Sequence, residues 1–184
     1  MKDKVNIVLT GVGGHGVITA ANILGKAAVK AKINVFVSEV HGMAQRGGSV
    51  NCTVRLGNVS GPLVASGTAD ALVSTEPIEA LRYINYTNKD TKIITDISPV
   101  IPFTVSVGSE EYPDIDKVFK ELNNYGKLYK IDAVKIAKDA GDLIVKNIVM
   151  LGALAAIDIL PFDKEILIDT ILENIPAKYK DMNK

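Results

Sequence analysis

The residues best suited to chemistry in this sequence lie in two glycine-rich segments, of which the first reads G-V-G-G-H-G (residues 11–16). Gly11, Gly13 and Gly16 have the spacing of a dinucleotide-binding fingerprint, in which a strand turns tightly into a helix whose free N–H groups attract an anion. His15 adds an imidazole that can titrate or donate a hydrogen bond at this turn. The spacing alone fits nucleotide binding and a purely structural glycine turn equally well.

The second segment reads H-G-M-A-Q-R-G-G (residues 41–48). Its Arg46 carries a guanidinium group, which can hold a carboxylate or a phosphate through two parallel hydrogen bonds. We expect Arg46 to contact the substrate, a cofactor phosphate or a partner subunit. The alternative is an exposed loop arginine, and His41 and Gln45 can likewise be solvated loop residues.

Three more positions are candidates because of their place along the chain. Glu39 follows Gly16 by 23 residues, near the place where an acidic residue binds a ribose hydroxyl in the fingerprint, or it is an acceptor that anchors a loop. Glu76 is predicted either to line a cleft or to be a carboxylate at a helix N-terminus. Lys146 and Asn147 interrupt an apolar helix and need partners, because unpaired burial of polar groups is costly. Asn147 is expected to bond the glycine loop or a neighbouring subunit.

The sequence argues against a metal site made by this chain. Cys52 is the single cysteine, whereas an iron–sulfur cluster usually requires four thiolates. It lies on the apolar phase of a predicted strand and is interpreted as a buried core thiol. The two histidines, His15 and His41, lack metal-ligand spacing, and no Ser/His/Asp set has a recognisable spacing. Any redox metal is therefore expected on a partner.

The composition is that of a globular domain without a strong electric field. The 184 residues include 47% hydrophobic and 23% charged residues, with 21 basic and 21 acidic side chains. This balance favours neither a nucleic-acid partner nor an anionic membrane. The first residues are predicted to form a strand rather than a signal peptide, and the apolar run at 148–157 is too short to span a bilayer. We expect a cytoplasmic location.

The hydrophobic pattern predicts a single Rossmann-like α/β domain over residues 1–184, with three layers and a mostly parallel sheet. Strands at 5–10 and 33–40 flank a helix from Val17 in a β-α-β unit. Residues 49–66 are predicted to form a hairpin-like excursion. Further predicted strands are 69–74, 92–95, 105–107 and 127–131, and further predicted helices are 77–86, 114–124, 132–140, 143–160 and 164–174.

The combination of motifs resembles the gamma-type subunit of 2-oxoacid:ferredoxin oxidoreductases, within which the second segment is most like the aryl pyruvate (indolepyruvate) branch. The resemblance covers about residues 4–160 and is carried by G-V-G-G-H-G-V, S-E-V-H-G-M-A-Q-R-G-G-S-V, V-R-L-G, A-D-A-L-V-S-T-E-P-I-E-A-L-R-Y and N-I-V-M-L-G-A, in that order. His15 departs from the family, which usually has glutamine there. Both side chains hydrogen-bond, but only histidine gains a charge near neutral pH.

The resemblance implies one gamma-type catalytic domain of the pyruvate/ketoisovalerate oxidoreductase type over residues 1–184, working as a subunit and inactive alone. Thiamine diphosphate and [4Fe–4S] clusters are expected on a large alpha subunit, coenzyme A as the co-substrate and ferredoxin as the acceptor. This chain would then line the substrate and coenzyme A side of the cleft. Alternatives are a gamma subunit for another 2-oxoacid, such as pyruvate or a branched-chain acid, and a stand-alone nucleotide-binding module. The residues assigned to the cleft or to an interface are Gly11, Gly13, Gly14, His15, Gly16, His41, Gln45, Arg46, Gly47, Gly48, Glu76 and Asn147.

Overall fold

A computed structural model describes residues 3–41, 47–108 and 110–174, and for residues 41, 103 and 104 it describes the backbone. Within these residues one six-stranded sheet has the strand order β2-β3-β1-β4-β5-β6. The strands are β1 (Lys4–Val12), β2 (Val35–His41), β3 (Ser49–Gly57), β4 (Ala71–Ser74), β5 (Lys92–Asp96) and β6 (Lys127–Ile131). Strands β1, β4, β5 and β6 are parallel, and β3 runs antiparallel to both β1 and β2.

Helices cover both faces of the sheet, which gives the three layers that the sequence predicts. The larger core cluster joins α1, α6 and α7 to one face, and the smaller cluster joins α2 and α4 to the other. The described helices are α1 (Val17–Lys30), α2 (Pro77–Arg82), α3 (Phe103–Ser106), α4 (Ile115–Leu122), α5 (Ala133–Ala140), α6 (Lys146–Ala155) and α7 (Lys164–Asn174). Short 3₁₀ turns lie at Ile84–Tyr86 and Leu143–Val145.

The α/β class and the mostly parallel sheet are confirmed, but strand β3 differs from its prediction. It does not leave the sheet in an excursion over residues 49–66. It lies between β2 and β1, so that the two strands of the predicted β-α-β unit are not neighbours. The alternation of polar and apolar residues suggested one solvated face, whereas the segment after β3 covers that face. Thr53 Oγ1 donates to Pro62 O (2.9 Å) and Arg55 Nη1 donates to Gly61 O (2.7 Å).

Two other element predictions are corrected. The segment predicted as a strand at 105–107 contains the end of the single-turn helix α3. The helix predicted over 143–160 is a 3₁₀ turn followed by α6, which ends at Ala155. The 3₁₀ turn and α6 meet at Lys146, whose backbone N–H donates to Leu143 O.

The loops that carry the candidate residues lie at one edge of the sheet. The carboxyl ends of the four parallel strands meet there, and in open α/β sheets ligands bind outside that edge. The second glycine-rich segment joins the end of β2 to the start of β3 at the same edge, because β3 runs in the opposite direction. Residues far apart in sequence therefore converge on one side of the molecule.

Candidate functional site

The first glycine segment forms the turn between β1 and α1. Gly16 is the N-cap residue of α1 in a left-handed conformation (φ +74°), and no side chain among the described residues caps the helix. Gly14 is also left-handed (φ +99°), a conformation that side chains other than glycine adopt only with strain. At Gly11 a Cβ atom would lie 1.9 Å from Thr75 Oγ1, so that this position has no room for a side chain.

The two glycine segments bind each other through their backbones. Gly13 N donates to Gly48 O (2.7 Å), and Gly47 N donates to Gly13 O (3.2 Å). These bonds continue the ladder between β1 and β3 beyond its last register pair, Val12 with Ser49. The structure therefore brings together two motifs that are about thirty residues apart in the chain.

Part of the second segment lies outside the described residues. Gln45 and Arg46 belong to that part, so their predicted contacts stay predictions. The backbone of His41 ends β2 and is paired in register with Val50 of β3. This places the start of the segment at the same edge of the sheet as Gly47 and Gly48.

Helix α6 packs its first turn against the glycine loop. Asn147 Nδ2 donates to Gly16 O (3.3 Å), which confirms the prediction that this side chain bonds the loop. A Cβ atom on Gly16 would lie 2.6 Å from Asn147 Nδ2, so the close approach needs glycine. Asn147 is 6% exposed, and its Oδ1 atom finds no hydrogen-bond partner among the described residues.

Lys146 finds the partner that its position in an apolar helix requires. Its ammonium group forms an ion pair with Asp96 Oδ2, at the carboxyl end of β5, and both side chains are buried. Asp96 Oδ1 accepts hydrogen bonds from Ser98 N (3.3 Å) and Ala133 N (3.2 Å). Sequence reasoning missed Asp96. The available signal was a lysine in an apolar helix, because a buried lysine requires an acidic partner that is buried as well.

His15 lies beside this ion pair with one ring nitrogen buried. Its Nδ1 atom has no hydrogen-bond partner in the part of the chain that the structure describes. Burial lowers the pKa of His15 below its ordinary value of 6.5, and the positive charge of Lys146 lowers it further, while Asp96 opposes both effects. The imidazole is therefore predominantly neutral at neutral pH.

A cavity of about 600 Å³ lies next to these groups. Its wall combines the N-terminal turns of α1 and α6, and neither helix carries a side-chain cap among the described residues. Free N–H groups and the partial positive charge of a helix N-terminus favour anionic groups. Val100, Val134, Leu143 and Ile144 contribute apolar surface to the same cavity. The lining residues are Gly14, His15, Gly16, Thr19, Ser98, Pro99, Val100, Val134, Leu143, Ile144, Val145, Lys146, Asn147, Ile148 and Asn174.

A second cavity, of about 510 Å³, lies on the other side of the glycine loop and includes Glu39 and Val50 in its wall. Glu39 is on β2, which is separated from β1 by β3. Strands in a sheet are about 4.8 Å apart, so Glu39 is about 10 Å from β1 across the sheet. In the dinucleotide fold the strand with the acidic residue neighbours the first strand. This chain keeps the glycine spacing of the fingerprint without that strand order.

Glu76 is buried at the N-terminus of α2. It is 2% exposed and accepts hydrogen bonds from Glu79 N (2.8 Å), Tyr112 Oη and Val100 N (3.5 Å). The interpretation as a helix-terminal carboxylate is confirmed, and Glu76 lines neither of the two cavities beside the glycine loop. Burial and the neighbouring carboxylates raise the pKa of Tyr112 well above its usual range, so its hydroxyl stays protonated and donates.

The described residues contain no group of three or more His, Cys, Asp or Glu side chains that could hold a metal ion. Cys52 is 1% exposed, and burial together with the charge of Glu39 raises its pKa to about 12. The interpretation as a core thiol is confirmed. In the described part of the chain, no helix is both long enough and apolar enough to cross a membrane.

The fold and the joined glycine segments define a Rossmann-like α/β domain with a cleft at its carboxyl edge. Residues 6–184 match the model of the pyruvate ferredoxin/flavodoxin oxidoreductase family, and the chain belongs to that family. The resemblance found in the motifs is thereby confirmed.

Curated relatives place the chain more closely. It is 45% identical to indolepyruvate oxidoreductase subunit IorB of Thermococcus kodakarensis, over 98% of this chain and 91% of the relative. The corresponding protein of Archaeoglobus fulgidus is 40% identical over 98% of this chain and 90% of the relative. A 2-oxoglutarate synthase subunit, KorC of Methanocaldococcus jannaschii, is 28% identical over 100% of this chain and 90% of the relative.

Solved structures support the fold. The gamma subunit of a keto/oxoacid ferredoxin oxidoreductase from Geobacter sulfurreducens superposes with a TM-score of 0.70 at 23% identity, covering 97% of this chain and 91% of that chain. A 2-oxoglutarate:ferredoxin oxidoreductase chain from Magnetococcus marinus has a TM-score of 0.73 at 20% identity. It covers 100% of this chain and 29% of that much longer chain, so the same fold occurs there as part of a larger polypeptide.

Proposed function

We propose that this chain is the small subunit of an oxidoreductase that oxidatively decarboxylates aryl 2-oxoacids such as indolepyruvate to acyl-coenzyme A, with reduction of ferredoxin. The observation that carries this proposal is the 45% identity to an indolepyruvate oxidoreductase subunit over nearly the whole length of both chains. The chain is not active alone, and it works in the cytoplasm as part of a complex with a large alpha subunit.

The chemistry of this chain's residues supports a division of labour. A chain with one cysteine cannot supply the four thiolates of a [4Fe–4S] cluster, and its described residues offer no metal-ligand group. The alpha subunit is therefore the proposed carrier of the clusters and of thiamine diphosphate, which supplies the decarboxylation chemistry when bound. This chain contributes a wall to the shared cleft.

The cleft wall suits an anionic ligand with an apolar part. The N-terminal turns of α1 and α6 contribute positive potential to this wall, and Val134, Leu143 and Ile144 contribute apolar surface. Coenzyme A and aryl 2-oxoacids both combine charged and apolar groups. The proposed wall residues at the glycine segments are Gly11, Gly13, Gly14, His15, Gly16, Gly47 and Gly48, with Asn147 behind them.

Arg46 is the proposed anion contact of the second segment, with His41 and Gln45 beside it. Replacing Arg46 by alanine is expected to reduce the activity of the assembled enzyme strongly and to leave the thermal stability of the chain nearly unchanged. Arg46→Lys, which keeps the charge but loses the planar fork, is the matched control and should recover only part of the activity. Wild-type turnover of Arg46→Ala would remove this residue from the proposal.

The decisive experiment is co-expression of this chain with a candidate large subunit whose sequence carries thiamine diphosphate and ferredoxin-type cluster motifs. The purified complex is assayed for coenzyme A-dependent reduction of a low-potential dye with indolepyruvate, phenylpyruvate and pyruvate. We expect the highest kcat/KM with the aryl acids, and no activity from either subunit alone. An assembled complex that reduces dye with none of the three acids would overturn the proposal.

A subunit that serves another 2-oxoacid is the second candidate within the family. The 28% identity to a 2-oxoglutarate synthase subunit favours keeping it in the test. Adding 2-oxoglutarate and a branched-chain 2-oxoacid to the same assay separates the two candidates by their kcat/KM values.

A stand-alone nucleotide-binding module is the candidate from another class. It is favoured by the second cavity, which includes both the glycine loop and Glu39. The strand order speaks against it, because β3 lies between the two strands that would hold the dinucleotide. Calorimetric titration of the isolated chain with NAD, FAD and coenzyme A tests it, and tight binding of NAD or FAD would support the module.

A further inference from the structure

Lys146 and Asp96 form a buried ion pair directly behind the glycine loop. Lys146 is 7% exposed and Asp96 is fully buried. Removing two charges from water costs several kcal/mol per ion, and well-packed apolar residues would often be at least as stable. Stability alone therefore does not explain well why an ion pair is buried at this place. The residues beside the pair suggest another reason.

The neighbouring group is His15. The first turn of α6 lies against Gly16, because Asn147 Nδ2 donates to Gly16 O (3.3 Å). His15 and Lys146 consequently line the same cavity. Burial is the largest cause of the lowered pKa of His15, and among the described residues the charges that act on it come from Lys146 at the start of α6 and from Asp96 at the end of β5.

The two charges act in opposite directions, and the lysine acts more strongly. Lys146 disfavours a second positive charge on the imidazole, whereas Asp96 favours it. Asp96 also fixes Lys146, since one carboxylate oxygen faces the ammonium group and the other is held by two backbone N–H groups. The position of the lysine charge relative to His15 is therefore built into the fold.

We propose that Lys146, anchored by Asp96, is a positioning residue whose charge adds to burial in keeping the His15 imidazole uncharged, so that His15 serves the cleft as a neutral hydrogen-bonding group. A neutral imidazole has one donor and one acceptor nitrogen, as a side-chain amide has donor and acceptor atoms. The arrangement explains how a titratable residue can occupy this turn without adding a charge. The inference rests on the proposed function only in placing His15 in the cleft.

The first test measures the pKa of His15 by NMR of the full-length chain labelled at histidine. The chain contains only His15 and His41, so the spectrum has two histidine signals, and His41 serves as the internal control. In Lys146→Met the lowering charge is removed and Asp96 acts unopposed. The pKa of His15 is expected to rise towards its ordinary value, while burial still lowers it and the His41 signal stays unchanged.

A second variant keeps the test decisive if Lys146→Met fails to fold. Lys146→Met with Asp96→Asn removes both charges and leaves no unpaired buried ion. Because the lysine acts more strongly than the aspartate, the pKa of His15 should still rise, by less than in the single variant. A folded variant in which the His15 pKa stays at the wild-type value would overturn the proposal.

The second test uses the pH profile of the assembled enzyme. In Lys146→Met the acid limb of kcat/KM should move to higher pH, because His15 gains a proton earlier. Adding His15→Gln to this variant should recover activity on the acid side, since glutamine cannot take up the proton. A purely structural role of Lys146 would lower activity equally at every pH, and the second substitution would then recover nothing.

The proposed function and the positioning role of Lys146 can each fail without the other. If the assembled wild-type complex has no oxidoreductase activity, the proposed function fails while the NMR result still decides the role of Lys146. If the complex is active but neither the His15 pKa nor the acid limb moves, the positioning role fails and the proposed function stands.

Discussion

Two groups of buried charged residues lie at the carboxyl edge of the sheet, on opposite faces. On the face of α6, Asp96 and Lys146 stand beside His15 and Asn147 and border a cavity of about 600 Å³. On the face of α2, the carboxylates of Glu76 and Glu79 accept hydrogen bonds from β3, from α2 itself, and from the segments that contain Val100 and Tyr112. The two groups are similarly buried. They differ in whether their buried polar atoms have hydrogen-bond partners among the described residues.

The α2 group is complete. Each carboxylate oxygen of Glu76 and Glu79 has a partner, the donors being Tyr112 Oη, Glu79 N, Ser49 Oγ and Arg82 Nε. Ser49 Oγ also lies 3.0 Å from Tyr83 Oη. Such a network holds the start of β3, and with it the end of the second glycine segment, against α2. We interpret it as structural support.

The α6 group is incomplete within the described residues. His15 Nδ1 and Asn147 Oδ1 are buried without a hydrogen-bond partner there, and both side chains line the cavity. Buried polar atoms in native proteins are nearly always bonded, and the exceptions concentrate at sites where a ligand, water or ion completes them. The two groups thus differ in hydrogen bonding rather than in buried charge, and the unpartnered atoms of the α6 group support the proposed cleft on that face.

The largest expected effect is on the α6 side. Lys146→Ala leaves the Asp96 carboxylate buried without its cation, and we expect the free energy of unfolding to fall by about 3–5 kcal/mol. Urea denaturation of the full chain measures this loss. Lys146→Met combined with Asp96→Asn is the control, and it should be considerably more stable than Lys146→Ala. A loss below about 1 kcal/mol, the value for an exposed pair, would mean that the pair is solvated.

The next effect concerns the contact between α6 and the glycine loop. Gly16→Ala introduces left-handed strain of about 1–2 kcal/mol and a Cβ atom 2.6 Å from Asn147 Nδ2, for which overpacking adds about 1–3 kcal/mol. Gly14→Ala is the matched control, since Gly14 is also left-handed and has nothing within 4 Å of its Cβ position. Chemical denaturation should show Gly16→Ala as clearly the less stable. Equal losses would contradict the close packing of α6 on the loop.

A smaller effect tests the α2 side. Tyr112→Phe removes a donor to the buried Glu76 carboxylate, and we expect a loss of about 1–3 kcal/mol in stability. The activity of the assembled enzyme should follow the folded fraction, with KM values unchanged. Tyr125→Phe is the control, because the Tyr125 side chain is partly exposed. A raised KM in folded Tyr112→Phe would indicate that the α2 group contributes to the cleft. It would contradict the interpretation of this group as structural support.

Much of this arrangement could be predicted from local patterns. The 3.6-residue period of α1, the glycine turn and the capping position of Glu76 are set by neighbouring residues, and the structure confirms them. The bond from Asn147 to the glycine loop was predicted from one polar residue in an apolar helix that needs a partner. The need of Asn147 for a partner follows from its apolar neighbours in α6, whereas the atom that it bonds, Gly16 O, is 131 residues away in the chain.

The remaining features depend on pairs that are distant in sequence. Strand β3 alternates like a strand with one solvated face, and only the segment after it, which covers Thr53 and Arg55, makes it a central strand. Asp96 and Lys146 are 50 residues apart, so neither one identifies the other before the fold is known. The pairing of Gly13 with Gly48 also follows from the insertion of β3 beside β1.

The smallest effect is the pH dependence that His15 adds to stability. Its pKa is lower in the folded chain than the ordinary value of 6.5, so below about pH 6.5 the unfolded chain binds more protons than the folded chain. Acidification from pH 7 to pH 5 therefore destabilises the fold through this residue. In His15→Gln this contribution is absent, and the fall in the free energy of unfolding over that range should be shallower than in the wild-type chain. Urea denaturation at half-unit pH steps measures the two slopes. Identical slopes would show that folding does not lower the pKa of His15. The α6 group would then have no more influence on the pH dependence of stability than the α2 group.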